Sequence, residues 1–475
     1  MQSAHDGLLK APGAVLLVSC YELGHQPLGL AWPLAFFRRA GFQPDCLDIS
    51  VEGFDPAKVS RARFVAVSVP MHTALRLGVR AAARIRRLHP AAHLCFHGLY
   101  AFLNAEYLLR DSADAVVAGE VEEALVAWAE VVNGTRSGNV EGVRTRAHES
   151  APVIRKLAFP RISRDALPPL ERYAHLQAPE GIATAGVVEA SRGCLHLCRH
   201  CPIPSVYGGR FFVVPAEVVL DDIRAQAASG ARHITFADPD FLNGPKHSLA
   251  IVRAMHAEFP DLTFDFTAKV EHLLAWRDLL PEFAACGCAF AVSAVESLSD
   301  AVLERMDKGH SRADVVEALS ALRAAGIPLR PSWLPFTPWS TLDDYLEMLD
   351  FVEAEGLVGN VDPVQYTIRL LIPPRSLLLD HDGLETCLGP LDEESFTYRW
   401  THPDPRMDRL QEAVSEAVEN AARAGGEDEE TFAAIRALAL EAAGRPADSE
   451  SGAPALVPAV ARAARAPRLT EPWFC

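Results

Sequence analysis

Three cysteines, Cys194, Cys198 and Cys201, follow one another as Cys-x3-Cys-x2-Cys. Thiolates at this spacing share one tight loop and can hold three corners of a cubane iron–sulfur cluster, leaving the fourth iron with an open coordination position. Bacterial ferredoxin runs use another spacing and supply a fourth cysteine. Zinc sites usually pair a Cys-x2-Cys with a second pair of ligands, and structural ones keep all four positions closed. The other close pair, Cys286-Gly287-Cys288, is spaced too tightly for a zinc knuckle and reads as small buried residues at a helix-to-strand turn. A zinc or purely structural cysteine loop is the alternative. The pattern points to an iron–sulfur centre that reserves one iron for an outside ligand.

The loop needs a rigid support on both sides. Residues 182–190 read as a short buried strand, and Ser191-Arg192-Gly193 turns out of it into the loop. Further strands are expected at 233–237, 263–267, 289–295, 327–333 and 363–371, with helices at 215–228, 246–258, 273–285, 300–306, 312–325 and 342–353 between them. Six such βα units make a partial parallel barrel, with its reactive face at the carboxyl ends of the strands. Upstream, continuous apolar runs predict strands at 14–20, 44–49, 64–69, 93–96 and 115–117, and helices at 30–39, 74–87, 101–109 and 121–132. That alternation predicts an α/β, flavodoxin-like, doubly wound sheet with a crevice lined by loops 21–29, 70–72, 98–100 and 119–122. The expected plan is therefore a sheet domain over 1–135, a connector over 136–181, a barrel over 182–375 and a small helical region over 376–475. In the connector, 138–146 and 152–156 are expected to pair as a hairpin, and no chemistry is expected there. Amphipathic helices at 404–424 and 429–443 precede an Ala/Arg/Pro/Ser-rich segment that reads as loosely ordered.

A strand feeding a Cys-x3-Cys-x2-Cys loop resembles the radical S-adenosylmethionine enzymes, and the N-terminal sheet with its loops resembles the cobalamin-binding domain fused ahead of many of them. The resemblance implies a [4Fe-4S] cluster on Cys194, Cys198 and Cys201. It implies S-adenosylmethionine on the open iron, cleaved by one electron to a 5′-deoxyadenosyl radical, with a flavodoxin- or ferredoxin-type electron donor. With cobalamin bound, it implies methyl transfer to an unactivated carbon or phosphorus centre of a small-molecule or peptide substrate. By the same resemblance Asp238 and Asp240, after the second barrel strand, would receive the amino group of S-adenosylmethionine, although capping of the following turn suits them equally. Lys269 would meet the methionine carboxylate, Ser293 and Glu296 the ribose, and His200 the adenine, where the family usually has an aromatic residue. Gly208 and Gly209 would permit close approach to the cofactor, and Gly98 and Gly119 would lie against the corrin.

One departure qualifies this. The Asp-x-His-x-x-Gly signature of cobalamin mutases is missing, since His25 is followed by Gln26-Pro27-Leu28-Gly29. His25 is a candidate cobalt ligand but reads more readily as a loop histidine with local hydrogen bonds, which leaves the lower face of the cobalt unassigned. Arg330 and Arg369 lie within apolar strands and need an anionic partner, either an internal carboxylate or a substrate anion. Two other functions stand beside the first: a radical rearrangement or oxidation with a non-cobalamin N-terminal module, and a non-catalytic metal-binding or redox-sensing protein.

Composition narrows the partners. A formal charge of −17 argues against a nucleic-acid groove. No apolar run approaches the ~20 residues of a membrane span. The first residues lack a basic region, so no secretory leader is expected. Cysteines spread through the chain without a disulfide framework fit a reducing cytoplasm. The ending Trp473-Phe474-Cys475, with the overall plan, resembles a group of cobalamin-type radical proteins whose tails continue Cys-Sec-Ala-Glu-Pro or Cys-Cys-Ala-Glu-Pro. An extension a few residues beyond Cys475 is the expectation; the alternative is a tail that docks Trp473 and Phe474 in a groove.

Overall fold

The apolar runs become strands because helices cover both of their faces. A computed structural model describes residues 8–380, 383–446 and 465–471; the chain end at Trp473–Cys475 lies outside them. The first sheet contains β1 (Val15–Ser19), β2 (Asp45–Asp48), β3 (Phe64–Ser68), β4 (His93–His97), β5 (Ala115–Val117) and β6 (Val143–Thr145), in the order β2-β1-β3-β4-β5-β6. The first five strands are parallel and β6 joins antiparallel. Strand order reverses between β1 and β3, which opens a crevice at their carboxyl ends. The helix expected over 101–109 is broken at Asn104, whose Nδ2 donates to the Tyr100 carbonyl at 3.1 Å, giving Leu99–Leu103 and Ala105–Asp111.

The expected connector hairpin does not form. β6 pairs with β5 instead, and Val153 bridges Gly119. Val143 and Val153 are each 1% exposed, so the sheet edge offers them a burial that a two-stranded hairpin lacks. The rest of the connector ties the two sheets together. Arg164 grips Asp222 through two hydrogen bonds (2.8 and 2.7 Å) and also donates to Gln26 and the Val187 carbonyl.

The second sheet contains β7 (His175–Ala178), β8 (Gly181–Val188), β11 (His233–Phe236), β12 (Thr263–Thr267), β13 (Cys288–Glu296) and β14 (Leu329–Trp333). Between β8 and β11, β9 (Ser191–Gly193) and β10 (Phe211–Val213) form a separate antiparallel ribbon. Five strands from β8 to β14 are parallel and form the partial barrel. The sixth, expected over 363–371, is a 3-10 turn at Pro363–Thr367 with one bridge between Phe336 and Arg369. Pro363 has no N–H to give a ladder, and Arg369 is drawn outward to Asp408 at 2.7 Å. Beyond it, a hairpin of β15 (Leu388–Asp392) and β16 (Thr397–Trp400) precedes the helices Pro405–Ala424 and Asp428–Ala442. The hairpin was not foreseen. Last, β17 (Arg468–Leu469) extends the barrel sheet at the β7 edge.

Leu28, Trp32 and Phe36, on helix Leu28–Arg39 of the first sheet, belong to the same apolar cluster as Val187 and Phe236 of the barrel. The crevice of one sheet therefore faces the reactive end of the other. Among the described residues no helix is long and apolar enough to cross a membrane.

Candidate functional site

The ribbon β9/β10 is the stem of the cysteine loop. Gly193 has φ +74, and a Cβ there would meet the Arg210 carbonyl oxygen at 2.3 Å, so only glycine closes the turn. At the end of β11, Asp238 accepts from the Ala190 N–H (2.9 Å) and the Ser191 hydroxyl (2.5 Å), fixing the exit from β8. The Asn243 side-chain oxygen accepts from the Leu195 N–H at 3.2 Å and lies 3.9 Å from Cys194 Sγ. Arg199 N–H donates to the Met306 carbonyl and Cys201 N–H to that of Cys198. A Cβ added at Gly209 would lie 3.3 Å from Leu197 Cδ2. Burial raises the Cys194 thiol, and raises that of Cys201 to about 12, with the other two thiols of the loop adding to the shift at Cys201. Such thiols keep their protons until a metal ion displaces them.

Around this loop the polar residues divide into two groups. On one side, His196 Nε2 meets His272 Nε2 at 3.2 Å, and His272 Nδ1 is 2.7 Å from Asp240 Oδ2. Asp240 is fully buried and also accepts from the Leu242 and Lys269 N–H groups, while Lys269 Nζ reaches Glu271 at 3.3 Å. On the other side, Glu296 Oε1 lies 3.3 Å from His200 Nε2 and 3.4 Å from Lys308 Nζ. Burial opposes ionisation of Glu296, but Lys308 and His200 outweigh it and hold the carboxyl down to about 2. Glu296 also has φ +66, a left-handed conformation costly for a side chain of this size and kept where the surroundings over-determine it.

Not every residue named from the sequence faces the site. Ser293 is fully buried and donates to the Ala268 carbonyl at 2.8 Å, so its hydroxyl joins β13 to β12 rather than meeting a ribose. Both oxygens of Asp238 are occupied by the turn it holds. Gly98 and Gly119 border the crevice, yet their Cβ atoms would strike the backbone oxygens of Val69 (2.9 Å) and Val153 (2.1 Å). Their lack of a side chain thus serves the protein's own packing. Arg330 pairs with Asp362 at 2.8 Å, and Arg369 with Asp408 and the Trp400 ring, so both guanidinium groups have internal partners. Cys286 and Cys288 are buried free thiols.

Asp238 supports a pH prediction. Burial, the largest influence, pushes its carboxyl from 3.8 to about 7. The folded chain therefore holds a proton that the unfolded chain releases. The resulting stabilisation is complete below about 4 and is lost as pH rises through 7. In Asp238→Asn, the side-chain oxygen can still accept from Ala190 and the amide can donate to Ser191. Thermal unfolding from pH 4.5 to 7.5 should show the wild type losing stability relative to the variant, by roughly 3 kcal/mol. Parallel profiles would rule out this account of Asp238.

Sequence reasoning missed Arg192. Its guanidinium meets Glu189 (2.6 Å), Glu122 (2.8 Å) and Glu120 (3.2 Å), and Tyr207 donates to Glu120 at 2.9 Å. The residue before Gly193-Cys194 is thus tied to the loop after β5. Lys308, His196, His272 and Asn243 were missed as well. A usable signal was present in Glu189-Ala-Ser-Arg192, where two charges flank a turn between apolar strands.

Two cavities meet here. A cleft lies between the first sheet's loops and the barrel and is bordered by Pro70, His97, Glu122 and Arg192. A second occupies the barrel lumen among Thr235, Asp265, Phe290, Val292 and Arg330. Leu23, His25, Ala237 and Pro239 border both. Burial lowers the His25 imidazole to about 4, so this shared wall holds a neutral ring.

Residues 188–352 match the radical SAM superfamily. The tRNA-2-methylthio-N(6)-dimethylallyladenosine synthase of Desulfosudis oleivorans is 30% identical over 211 residues, which is 42% of this chain and 44% of that protein. The chain thus spans less than two thirds of the length of such curated relatives. Among solved structures, the methyltransferase TsrM from Kitasatospora setae, with cobalamin and a [4Fe-4S] cluster bound, aligns with TM-score 0.56 and 18% identity over 72% of this chain and 70% of its own. OxsB, a cobalamin-dependent S-adenosylmethionine radical enzyme with aqua-cobalamin and S-adenosylmethionine bound, aligns with TM-score 0.66 and 17% identity over 86% and 66%. At such identity these two likenesses are of fold.

Proposed function

We propose, from the premise that this chain carries a radical SAM domain over residues 188–352 and that such a domain implies a [4Fe-4S] cluster and S-adenosylmethionine, that it is a cobalamin-dependent radical enzyme that transfers a methyl group to an unactivated carbon or phosphorus centre. The observation that carries this reading is the wall of Leu23, His25, Ala237 and Pro239 common to the crevice and the lumen. A group held in the crevice borders whatever fills the barrel.

The residues suit these cofactors. Cys194, Cys198 and Cys201 would hold the cluster. His200 and Glu296 would meet the adenosine portion of S-adenosylmethionine and Lys269 the methionine portion, with Asp240 holding His272 and the Lys269 N–H behind it. The crevice lies at the carboxyl ends of the first sheet's strands and is bordered by loops of both sheets, the place where an open α/β sheet holds a large ligand. When bound, the cluster and S-adenosylmethionine supply one-electron cleavage to a carbon-centred radical, and the corrinoid supplies a methyl group. The chain's part is to position and to exclude water. Phe290, Val292 and Leu23 give the lumen apolar walls, and Leu469 and Glu471 border it from the chain end. The Arg330–Asp362 pair leaves no unpaired charge at Arg330. A small-molecule or peptide substrate, a flavodoxin- or ferredoxin-type electron donor and a cytoplasmic setting complete the proposal.

Methylthio transfer, the reaction of curated relatives, needs a sulfur donor. Among the described residues the cysteines outside the loop, Cys20, Cys46, Cys95, Cys286, Cys288 and Cys387, are all buried, which favours methyl transfer. The reconstituted protein, given hydroxocobalamin, reductant and S-adenosylmethionine, should form both 5′-deoxyadenosine and S-adenosylhomocysteine. Formation of 5′-deoxyadenosine alone would favour rearrangement or oxidation instead.

A further inference from the structure

Two histidines beside the cysteine loop meet through the same ring atom. His196 stands on the loop itself, between Cys194 and Cys198, and His272 on the helix Val270–Ala275 that follows β12. Their Nε2 atoms are 3.2 Å apart, with the rings inclined at 57°. Behind each ring stands a carboxylate: Asp240 Oδ2 is 2.7 Å from His272 Nδ1, and Glu271 Oε2 is 3.6 Å from His196 Nδ1. The Leu242 and Lys269 N–H groups pin Asp240 in place. A carboxylate beside Nδ1 keeps the ring hydrogen there, which leaves the lone pair of a neutral imidazole on Nε2. Two lone pairs then face each other, and an electron-poor centre shared between them removes the repulsion. Donors about 2.0–2.1 Å from a tetrahedral zinc ion are separated by about 3.3–3.4 Å, so the two nitrogens already stand at chelating distance. Side-chain exposures of 16% at His196 and 13% at His272 leave an entry while shielding the pair.

We propose that His196 and His272 bind one divalent transition-metal ion through their Nε2 atoms, separate from the iron–sulfur cluster, with Asp240 and Glu271 behind the rings fixing their tautomers. Ligand atoms of His196, Asp240 and His272 all lie within 4.8 Å of one another. Imidazole nitrogen suits zinc among such ions, and a carboxylate behind the ligating ring is the usual way to orient it and raise its basicity. Asp240 and Glu271 carry two negative charges against the one of Lys269, which reaches Glu271 at 3.3 Å, so the surroundings favour a cation. Water fills the remaining coordination positions. The ion joins the middle of the cysteine loop to the helix after β12 and so braces the segment between the first two thiols. This site is independent of what occupies the crevice.

The test uses the full chain with its cluster reconstituted, so that the three loop thiols are already taken. Dialysed without oxygen against micromolar zinc, the protein should hold about one zinc per chain in addition to its iron and sulfide. X-ray absorption at the zinc edge should find nitrogen and oxygen neighbours at about 2.0–2.2 Å and no sulfur at about 2.3 Å. His196→Ala and His272→Ala should each weaken zinc binding by more than about 100-fold with iron unchanged, whereas Asp240→Asn, which keeps both ligands, should weaken it by about 10–100-fold. Wild-type protein that holds no zinc, sulfur at the zinc edge, or zinc affinity untouched in both histidine variants would overturn the proposal. Loss of iron together with zinc from variants of unchanged circular dichroism would overturn it too, by placing the histidines on the cluster. The wild-type measurements decide the matter even if a variant fails to fold.

Discussion

Replacing any one of Cys194, Cys198 or Cys201 with alanine should abolish reductive cleavage of S-adenosylmethionine, by more than about 100-fold, the upper end of the loss that even an outer-shell partner of a metal site produces. The three thiols share one loop, held by Asn243 at one end and by the Arg199–Met306 backbone bond on the other side. No other described cysteine stands on that loop, so a missing thiolate has no substitute. Cys286→Ala and Cys288→Ala should keep cleavage within a few-fold, since each loses only a small buried side chain. Comparable losses from both sets, measured as 5′-deoxyadenosine formed under dithionite, would reassign the ligands.

Arg192→Met should have the largest effect on stability. Its guanidinium is the shared counter-charge of three carboxylates, Glu120 and Glu122 buried and Glu189 partly so, and it stacks on Phe159 with 4.9 Å to the ring centroid. Removing one partner from a buried ion cluster costs about 3–5 kcal/mol, because the remaining charges stay desolvated. Here two elements lose their connection at once, the loop after β5 and the strand that leads into Cys194. The expected result is a fall in Tm that is smaller for Arg192→Lys, whose single ammonium cannot bond three carboxylates in the same geometry. Iron retention should fall in parallel. An unchanged Tm in R192M would mean that the carboxylates shed their charge without the guanidinium.

The barrel and the first sheet were legible because their strands are apolar runs buried on both faces, a pattern that leaves few alternatives. The same logic failed at 363–371, where an apolar stretch containing Pro363 and Arg369 became a 3-10 turn and an ion pair. It failed again at 388–400, whose mixed residues form a hairpin too polar to show in periodicity. The cysteine loop was legible from spacing alone. Its surroundings were less so, because side-chain direction decides them. Ser293 and Asp238 stand at the carboxyl ends of strands as expected, yet their oxygens are turned to Ala268, Ala190 and Ser191. Beyond the nearby Glu189, Arg192 finds Glu120 and Glu122, and Lys308 finds Glu296, at distances along the chain that local patterns do not reveal. For Arg330 and Arg369, where sequence left the choice between an internal and an external anion open, Asp362 and Asp408 resolve it.

The central claim is that one chain carries an iron–sulfur radical site and a corrinoid site face to face. Quantifying iron, labile sulfide, zinc and corrinoid in protein purified without oxygen and incubated with hydroxocobalamin tests it most directly. The account predicts about four irons and four sulfides with about one corrinoid per chain, the cluster disappearing with Cys194→Ala while the corrinoid stays. Zinc without sulfide, or a full cluster with no corrinoid retained, would contradict it.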